Sequence, residues 1–211
     1  MTSPDPVSMM IDIQMGHSQA EKTENHNRII RIAAARFREM GLEGLSVADL
    51  MKEAGLTHGG FYRHFPSRED LVVETIAYAL ADGETRGGLE ELSGDNLTLT
   101  TLIDAYLAES HRDTPSRGCG VATLAGDVAR SGARAKSVFT RQVKRNIQSV
   151  SAMLSAGDAA SKRAGAIMIW SALVGSLTLA RAVNDKKLSS EILETIRVEL
   201  KALSGSSKKK K

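Results

Sequence analysis

Between residues 41 and 70 the chain is punctuated so closely that only very short helices fit. Gly41 closes an apolar-periodic stretch, Ser46 stands three residues ahead of Asp49, Gly55 follows, and Pro66-Ser67 stands ahead of Asp70. A serine that can accept from the backbone three residues on is a helix start, and a glycine after the last apolar position is a helix stop. Upstream, Ile30, Ala33, Ala34 and Phe37 fall at i, i+3, i+4 and i+7, which predicts a first helix from Asn25 to Gly41. Ser46 then opens a second helix of about ten residues with Val47, Leu50 and Ala54 inward. Gly55-Leu56-Thr57-His58 leads into a third short helix that buries Phe61 and Phe65, and Ser67 caps a longer helix expected to run to about Asp82.

Two short helices joined by a tight turn, the second opening on small polar residues with aromatics behind, read as a helix-turn-helix. In that motif the first helix spans the phosphate backbone and the second lays its N-terminal end in the major groove. That end therefore needs short side chains and hydrogen-bonding groups. Thr57, His58, Gly59 and Gly60 meet the need, while Phe61 and Phe65 face the other way. A glycine inside a helix costs up to about 1 kcal/mol relative to alanine. The Gly59-Gly60 pair is then either a flexible loop or a place kept clear for close approach.

Residues Asn25 to Ile76 resemble the N-terminal domain of the TetR family of regulators. The likeness is carried by Ile29-Ile30 through Gly41-Leu42, Leu45-Ser46-Val47, Ala54-Gly55-Leu56-Thr57, Phe61-Tyr62-Arg63-His64-Phe65 and Ser67-Arg68-Glu69-Asp70-Leu71. The resemblance implies that Tyr62, His64 and Arg68 hold phosphates and that Thr57, His58, Gly59 and Gly60 meet base edges. It also implies that Ser46 and Val47 approach the DNA backbone at the N-terminus of the second helix, where free N–H groups favour phosphate. Ala48 departs from relatives with a basic side chain there, so base readout is not expected from that helix. His58 and His64 lack a carboxylate or thiol at helical spacing, and neither a metal nor a cofactor is expected.

Charge alone is weak support for a nucleic-acid partner. The formal net charge of +3 includes the four terminal lysines Lys208 to Lys211, and residues 22–70 carry eight Lys/Arg against seven Asp/Glu. Any DNA contact must come from placement. Cys119 is the only cysteine, which excludes an intrachain disulfide and fits a reducing cytoplasm. The opening residues lack a basic start followed by an apolar run, so no secretory signal is expected. Residues 1–24, with Pro4 and Pro6, read as a disordered leader, and residues 204–211 as a flexible basic tail.

The rest of the chain reads as helices. Leu99, Leu102, Ile103, Tyr106 and Leu107 give one face after a glycine-rich connection at Gly83, Gly87, Gly88 and Gly94. Val121 to Arg130, Ala133 to Leu154, Ala159 to Val183 and Ser189 to Leu203 follow, with breaks at Thr114 to Gly118, Gly132, Gly157 and Asn184-Asp185. No strand pattern appears, so the expected fold class is all-α: a DNA-binding domain at 25–82, then a helical regulatory and dimerisation domain at 83–203. The uncharged run Ala164 to Ala180 is at the short edge of a membrane span and is better read as a helix lying between others, without a membrane partner.

Ala172, Gly175, Ser176 and Leu179 place small and medium residues on one stripe, and the resemblance extends to the last two helices, which would form a homodimer contact through about 159–183 and 189–203. The resemblance also implies a small-molecule effector pocket in this half. Tyr106, His111, Cys119, Phe139, Met153, Met168 and Trp170 are its candidate lining, although each is ordinarily plain core. Cys119, between two glycines before a helix, is also a candidate sensor thiol. No phosphate loop, dinucleotide fingerprint or nucleophile elbow is present, so the chain is not expected to be an enzyme. A non-specific architectural DNA protein is disfavoured by the low net charge. The expected function is a repressor released from a pseudo-palindromic DNA operator by a small-molecule effector.

Overall fold

The computed structural model describes the backbone of residues 6–86 and 97–206, and the side chains of residues 19–81 and 97–203. The elements in order are α1 (Pro6–Met40), α2 (Val47–Glu53), a 3-10 helix (His58–Arg63) and α3 (Arg68–Arg86). Then come α4 (Leu99–Tyr106), α5 (Glu109–Asp113), a 3-10 turn (Pro115–Arg117), α6 (Gly120–Arg130), α7 (Ala133–Met153), α8 (Ala159–Ala182) and α9 (Lys186–Ser206). Among the described residues there is no strand, and the fold is all-α.

The serine starts are where the spacing predicts them. Ser46 Oγ accepts from the Asp49 amide at 3.1 Å and donates to its carboxylate at 2.6 Å, and Ser67 does the same with Asp70 at 3.1 and 2.7 Å. Gly41 and Gly55 end their helices with φ of +77° and +71°, backbone that a β-carbon disfavours. Ile29, Ala33, Phe37, Leu50, Met51, Phe61, Phe65, Leu71 and Ile76 close one small core over these four elements. Burying an aromatic such as Phe61 or Phe65 contributes about 2 to 3 kcal/mol, enough to hold a six-residue element that could not persist alone.

The expected leader is corrected by the structure. Residues 6–24 continue α1 as helix, because Pro6 occupies the first helical position, where a missing N–H removes no bond. Residues 1–5 lie outside the described residues. At the other end the helix runs through Ser206, three residues into the expected tail, and 207–211 lie outside the described residues. α3 passes through Gly83 to Arg86, so the connection starts later than predicted, and Gly87, Gly88 and Gly94 fall outside the described residues.

In the second half, α8 packs between α7 and α9 with Ala166, Ile169, Leu173, Leu177 and Ala180 inward. It is the one described helix long and apolar enough to cross a membrane by composition, but its inner face is protein core. α8 lies between helices as expected, yet one side of it is open. Met168, Ser171, Thr178, Leu179 and Ala182 are exposed along one side with Gly175 half-buried among them, and Ser176 instead points inward, donating to the Ala172 and Leu173 carbonyls. On α9 a matching side exposes Leu188, Thr195, Val198 and Ala202.

Candidate nucleic-acid interface

The 3-10 helix His58–Arg63 presents its opening residues to solvent and its aromatics to the core. Thr57, His58 and Gly59 are exposed and Gly60 is half-buried, whereas Phe61 and Phe65 are inaccessible. The expected short helix is therefore present in its tighter form, which suits six residues between Thr57 and His64. Thr57 occupies the N-cap position without a side-chain capping bond. A β-carbon at Gly59 would meet nothing within 4 Å, and one at Gly60 would make only ordinary contacts with Thr57 and Met51. Neither glycine has a positive φ. Among the described residues nothing requires these two helix-weakening glycines, and the surface they leave is open to close approach.

Around this tip lie the residues expected at phosphates. Tyr62 is 73% exposed, its ring edge-on to Phe61 at 5.2 Å. Arg68, in the first turn of α3, donates to the Leu42 carbonyl at 2.8 Å and to Glu43 at 3.2 Å, yet its side chain stays 40% exposed. His64 is half-buried with Nδ1 unpartnered, and burial, then the nearby His26, Lys22 and Arg63, push its pKa below the ordinary value. Its ring is therefore mostly uncharged near neutral pH. Ser46 is exposed but its hydroxyl is held by the Asp49 carboxylate, and Val47 is half-buried against the core. The α2 N-terminus offers backbone amides there rather than a free hydroxyl.

Sequence reasoning passed over two neighbours. Arg63 is an exposed cation beside Tyr62, hidden in the sequence by its place between two better-known aromatic positions. His26, on α1, stacks on Phe65 with ring centroids 4.6 Å apart and bonds Glu74 of α3 at 2.8 Å. Only tertiary packing brings these three together.

The residues expected at an effector pocket divide. Tyr106, His111, Cys119 and Trp170 converge, with Tyr106 edge-on to His111 at 4.9 Å and to Trp170 at 5.5 Å. The His111 ring takes the Cys119 amide on Nε2 at 2.9 Å and faces the Tyr106 carbonyl through Nδ1 at 2.7 Å, so it is the neutral Nδ1–H tautomer. Burial pushes its pKa down to about 4. Burial, and then the neighbouring Cys119 thiol, push the Tyr106 hydroxyl well above its ordinary value against a smaller opposing effect of Arg181, and among the described residues neither it nor Trp170 Nε1 has a conventional hydrogen-bond partner. Phe139 and Met153 are half-buried on α7. Met168 lies apart, 48% exposed on the open side of α8, where it cannot line an interior pocket. Among the described residues no group of three or more His, Cys, Asp or Glu side chains could hold a metal.

Residues 29–75 match the model of the bacterial regulatory proteins of the tetR family. The chain is 28% identical over 107 residues to the HTH-type transcriptional repressor KstR2 of Rhodococcus jostii (strain RHA1), covering 51% of this chain and 52% of that one. It is 44% identical over 53 residues to an HTH-type transcriptional regulator of Staphylococcus aureus (strain USA300), covering 25% and 29%. The matched stretches thus span about half, or less, of the curated relatives. A TetR transcriptional regulator from Chloroflexus aurantiacus shares the fold at a TM-score of 0.71 and 22% identity, over 86% of this chain and 94% of that one. Residues 29–75 thus match the helix-turn-helix domain of the tetR family of bacterial regulatory proteins, and the described helices of both halves share the fold of a solved TetR regulator.

Proposed function

We propose that this chain is a sequence-specific DNA-binding transcriptional regulator, a repressor that grips a pseudo-palindromic operator as a homodimer in the cytoplasm and leaves it when a small-molecule effector binds. The carrying observation is the exposed Thr57-His58-Gly59 tip backed by the buried Phe61 and Phe65, a rigid reading head whose glycines answer to no internal contact. Thr57 and His58 supply groups for base edges. Tyr62, His64 and Arg68, with Arg63, supply the flanking phosphate contacts that fix its register.

Dimerisation is supported by the open, uncharged side of α8 from Met168 to Ala182, next to that of α9 from Leu188 to Ala202. A two-fold contact on such a face is the commonest oligomer solution, and it would set two recognition segments about one helical turn apart. The effector reading is supported by the buried Tyr106 hydroxyl and Trp170 Nε1, two donors without conventional partners in one core, which an acceptor-bearing ligand would satisfy. A regulator needs no catalytic step, and its partners on this reading are duplex DNA, a second copy of the chain and the effector.

Selection of bound duplexes from a random pool tests the proposal. An enriched inverted repeat with half-sites about 10 base pairs apart is the expected result. A pool that stays random after several rounds, on a folded dimeric protein, would overturn it.

A further inference from the structure

Behind the reading head runs a continuous ladder of rings. It begins at Glu74 on α3, whose carboxylate holds His26 Nε2 of α1 at 2.8 Å. The His26 ring lies on Phe65 at 4.6 Å with planes 27° apart, Phe65 lies on Phe61 at 5.5 Å and 30°, and Phe61 meets the Tyr62 edge at 5.2 Å. The exposed Tyr62 is thus connected, ring by ring, to the His26–Glu74 hydrogen bond between α1 and α3. His64 sits beside the ladder, 6.3 Å from His26 and 6.4 Å from Phe65.

We infer that His26, clamped by Glu74, is a positioning residue for DNA recognition: its ring is the base plate on which Phe65 and Phe61 stack, and so it fixes where Tyr62 and His64 meet the phosphates. The inference rests on the DNA-binding reading, which it deepens by adding a residue that need not touch DNA itself.

The physical reason lies in the weakness of the element being held. A six-residue 3-10 helix containing Gly59-Gly60 has little stability of its own, so its orientation is inherited from its packing. Phe61 and Phe65 supply that packing from the core side. The His26 ring closes the stack from α1, and the Glu74 bond prevents it from swinging out to solvent, because α1 and α3 are both long helices anchored elsewhere in the core. A proton on the His26 ring also opposes one on His64, whose ring is 6.3 Å away. The groups facing His64 are His26 and Lys22 from α1 and Arg63 from its own segment, with Glu74 of α3 beyond His26. The same residue therefore sets the geometry of the head and helps keep His64 uncharged.

Three substitutions in the full-length protein separate the stack from the hydrogen bond. His26→Phe keeps a flat ring on Phe65 and gives up the bond to Glu74; His26→Gln keeps a hydrogen-bonding group and gives up the ring; His26→Ala gives up both. With a duplex recovered from the random pool, His26→Ala and His26→Gln are expected to weaken binding by about tenfold, the scale of one aromatic stacking contact. His26→Phe is expected to recover most of the loss. A merely structural residue would show its effect equally on melting temperature, so each affinity is read at a temperature where that variant is fully folded. Equal binding by His26→Ala and wild type, or a His26→Phe variant as weak as His26→Gln, would overturn the inference.

A second readout needs no DNA. NMR of ring-labelled histidines follows the His64 titration, which is expected to move upward in His26→Gln because one repelling charge is gone. An unchanged midpoint would show that His26 does not act on His64. Should the wild-type chain bind no duplex at all, the regulatory reading fails first, and the His64 titration still decides whether the two histidines are coupled.

Discussion

The Asp70 carboxylate lies 2.7 Å from the Arg134 guanidinium, tying the first turn of α3 to the first turn of α7. Asp70 is also the residue that closes the cap on α3 by taking the Ser67 hydroxyl, so the second half of the chain grips the helix that follows the His58–Arg63 segment. Arg38 makes a second joint, buried at 5% exposure, donating to the Ser116 carbonyl at 2.6 Å and to the Ala79 carbonyl at 2.9 Å. On the proposed function, movement of α7 or of the Pro115–Arg117 turn on effector binding would reach α3 and α1 through these two arginines, with coupling of typically about 1 to 3 kcal/mol.

The Asp70 carboxyl is held below the ordinary carboxylate range first by the Ser67 hydroxyl and then by Arg134. In Arg134→Gln its titration, followed by carboxyl-detected NMR, is expected to move upward but to remain below the ordinary range because Ser67 still donates. A depressed carboxyl favours folding above its unfolded pKa and loses that effect as acid protonates it. The variant should therefore show a weaker loss of stability in acid. An Asp70 titration that does not move would show that the pair is not formed in solution.

Gly59→Ala separates folding from recognition. The position is open and helical, so alanine is expected to leave stability unchanged or to raise it by up to about 1 kcal/mol. Operator affinity should nevertheless fall, since the added methyl group stands on the surface that meets the groove. Unchanged affinity, measured by fluorescence anisotropy on a selected duplex, would place the DNA elsewhere.

Salt dependence distinguishes the phosphate contacts. Arg63→Ala and Arg68→Ala should each reduce the slope of log affinity against log salt by about one and weaken all duplexes alike. His64→Ala should weaken binding at neutral pH without changing that slope, because the ring is neutral there. A slope loss on removing His64 would mean that it binds DNA as a cation.

His111 predicts an acid limit to stability. Its pKa falls to about 4 in the fold, against about 6.5 in an unfolded chain. A base whose pKa is lowered by folding stabilises the fold fully above its unfolded value, and the contribution disappears as pH drops toward the folded one. The loss should amount to about 3 kcal/mol between pH 6.5 and 4. Urea midpoints across that window are expected to fall in the wild type and to fall less in His111→Asn. Parallel curves would remove His111 from the account.

Leu179→Glu places a charge on the open side of α8, 58% exposed in one protomer, where a second copy would bury it. Sedimentation should show a dimeric wild type and a monomeric variant, with operator affinity falling alongside. A variant that stays dimeric would move the interface off this face.

Much of the DNA-binding half is legible in the sequence because its signals are local. Ser46 and Ser67 each meet their partner three residues on, Gly41 and Gly55 are required by a positive φ, and Phe61 and Phe65 lie one turn apart. The helix before Asn25 was missed because Pro6 reads as a breaker until its place at the first turn is known. Other features were hidden because they are made across distance. Gly118 looks like a turn glycine, yet a β-carbon there would meet Arg181 at 2.7 Å and His111 at 3.0 Å, and one at Gly120 would meet the Ala79 carbonyl at 3.0 Å. His26 shows no sign of its role until α1 and α3 are packed. The sequence marks a stripe on α8 but sets Ser176 on it, whereas Ser176 faces the core, because small residues around a helix do not say which quarter turn is buried.

The most direct measurement is a comparison of the motifs recovered from one random duplex pool by the wild-type protein and by Thr57→Ala and His58→Ala variants. If these side chains read base edges, each variant should recover a motif altered at one or two base pairs, repeated symmetrically in both half-sites, with the rest intact. If both variants recover the wild-type motif unchanged and merely bind more weakly at every position, the tip of the His58–Arg63 segment does not read sequence, and the assignment of the reading head is wrong.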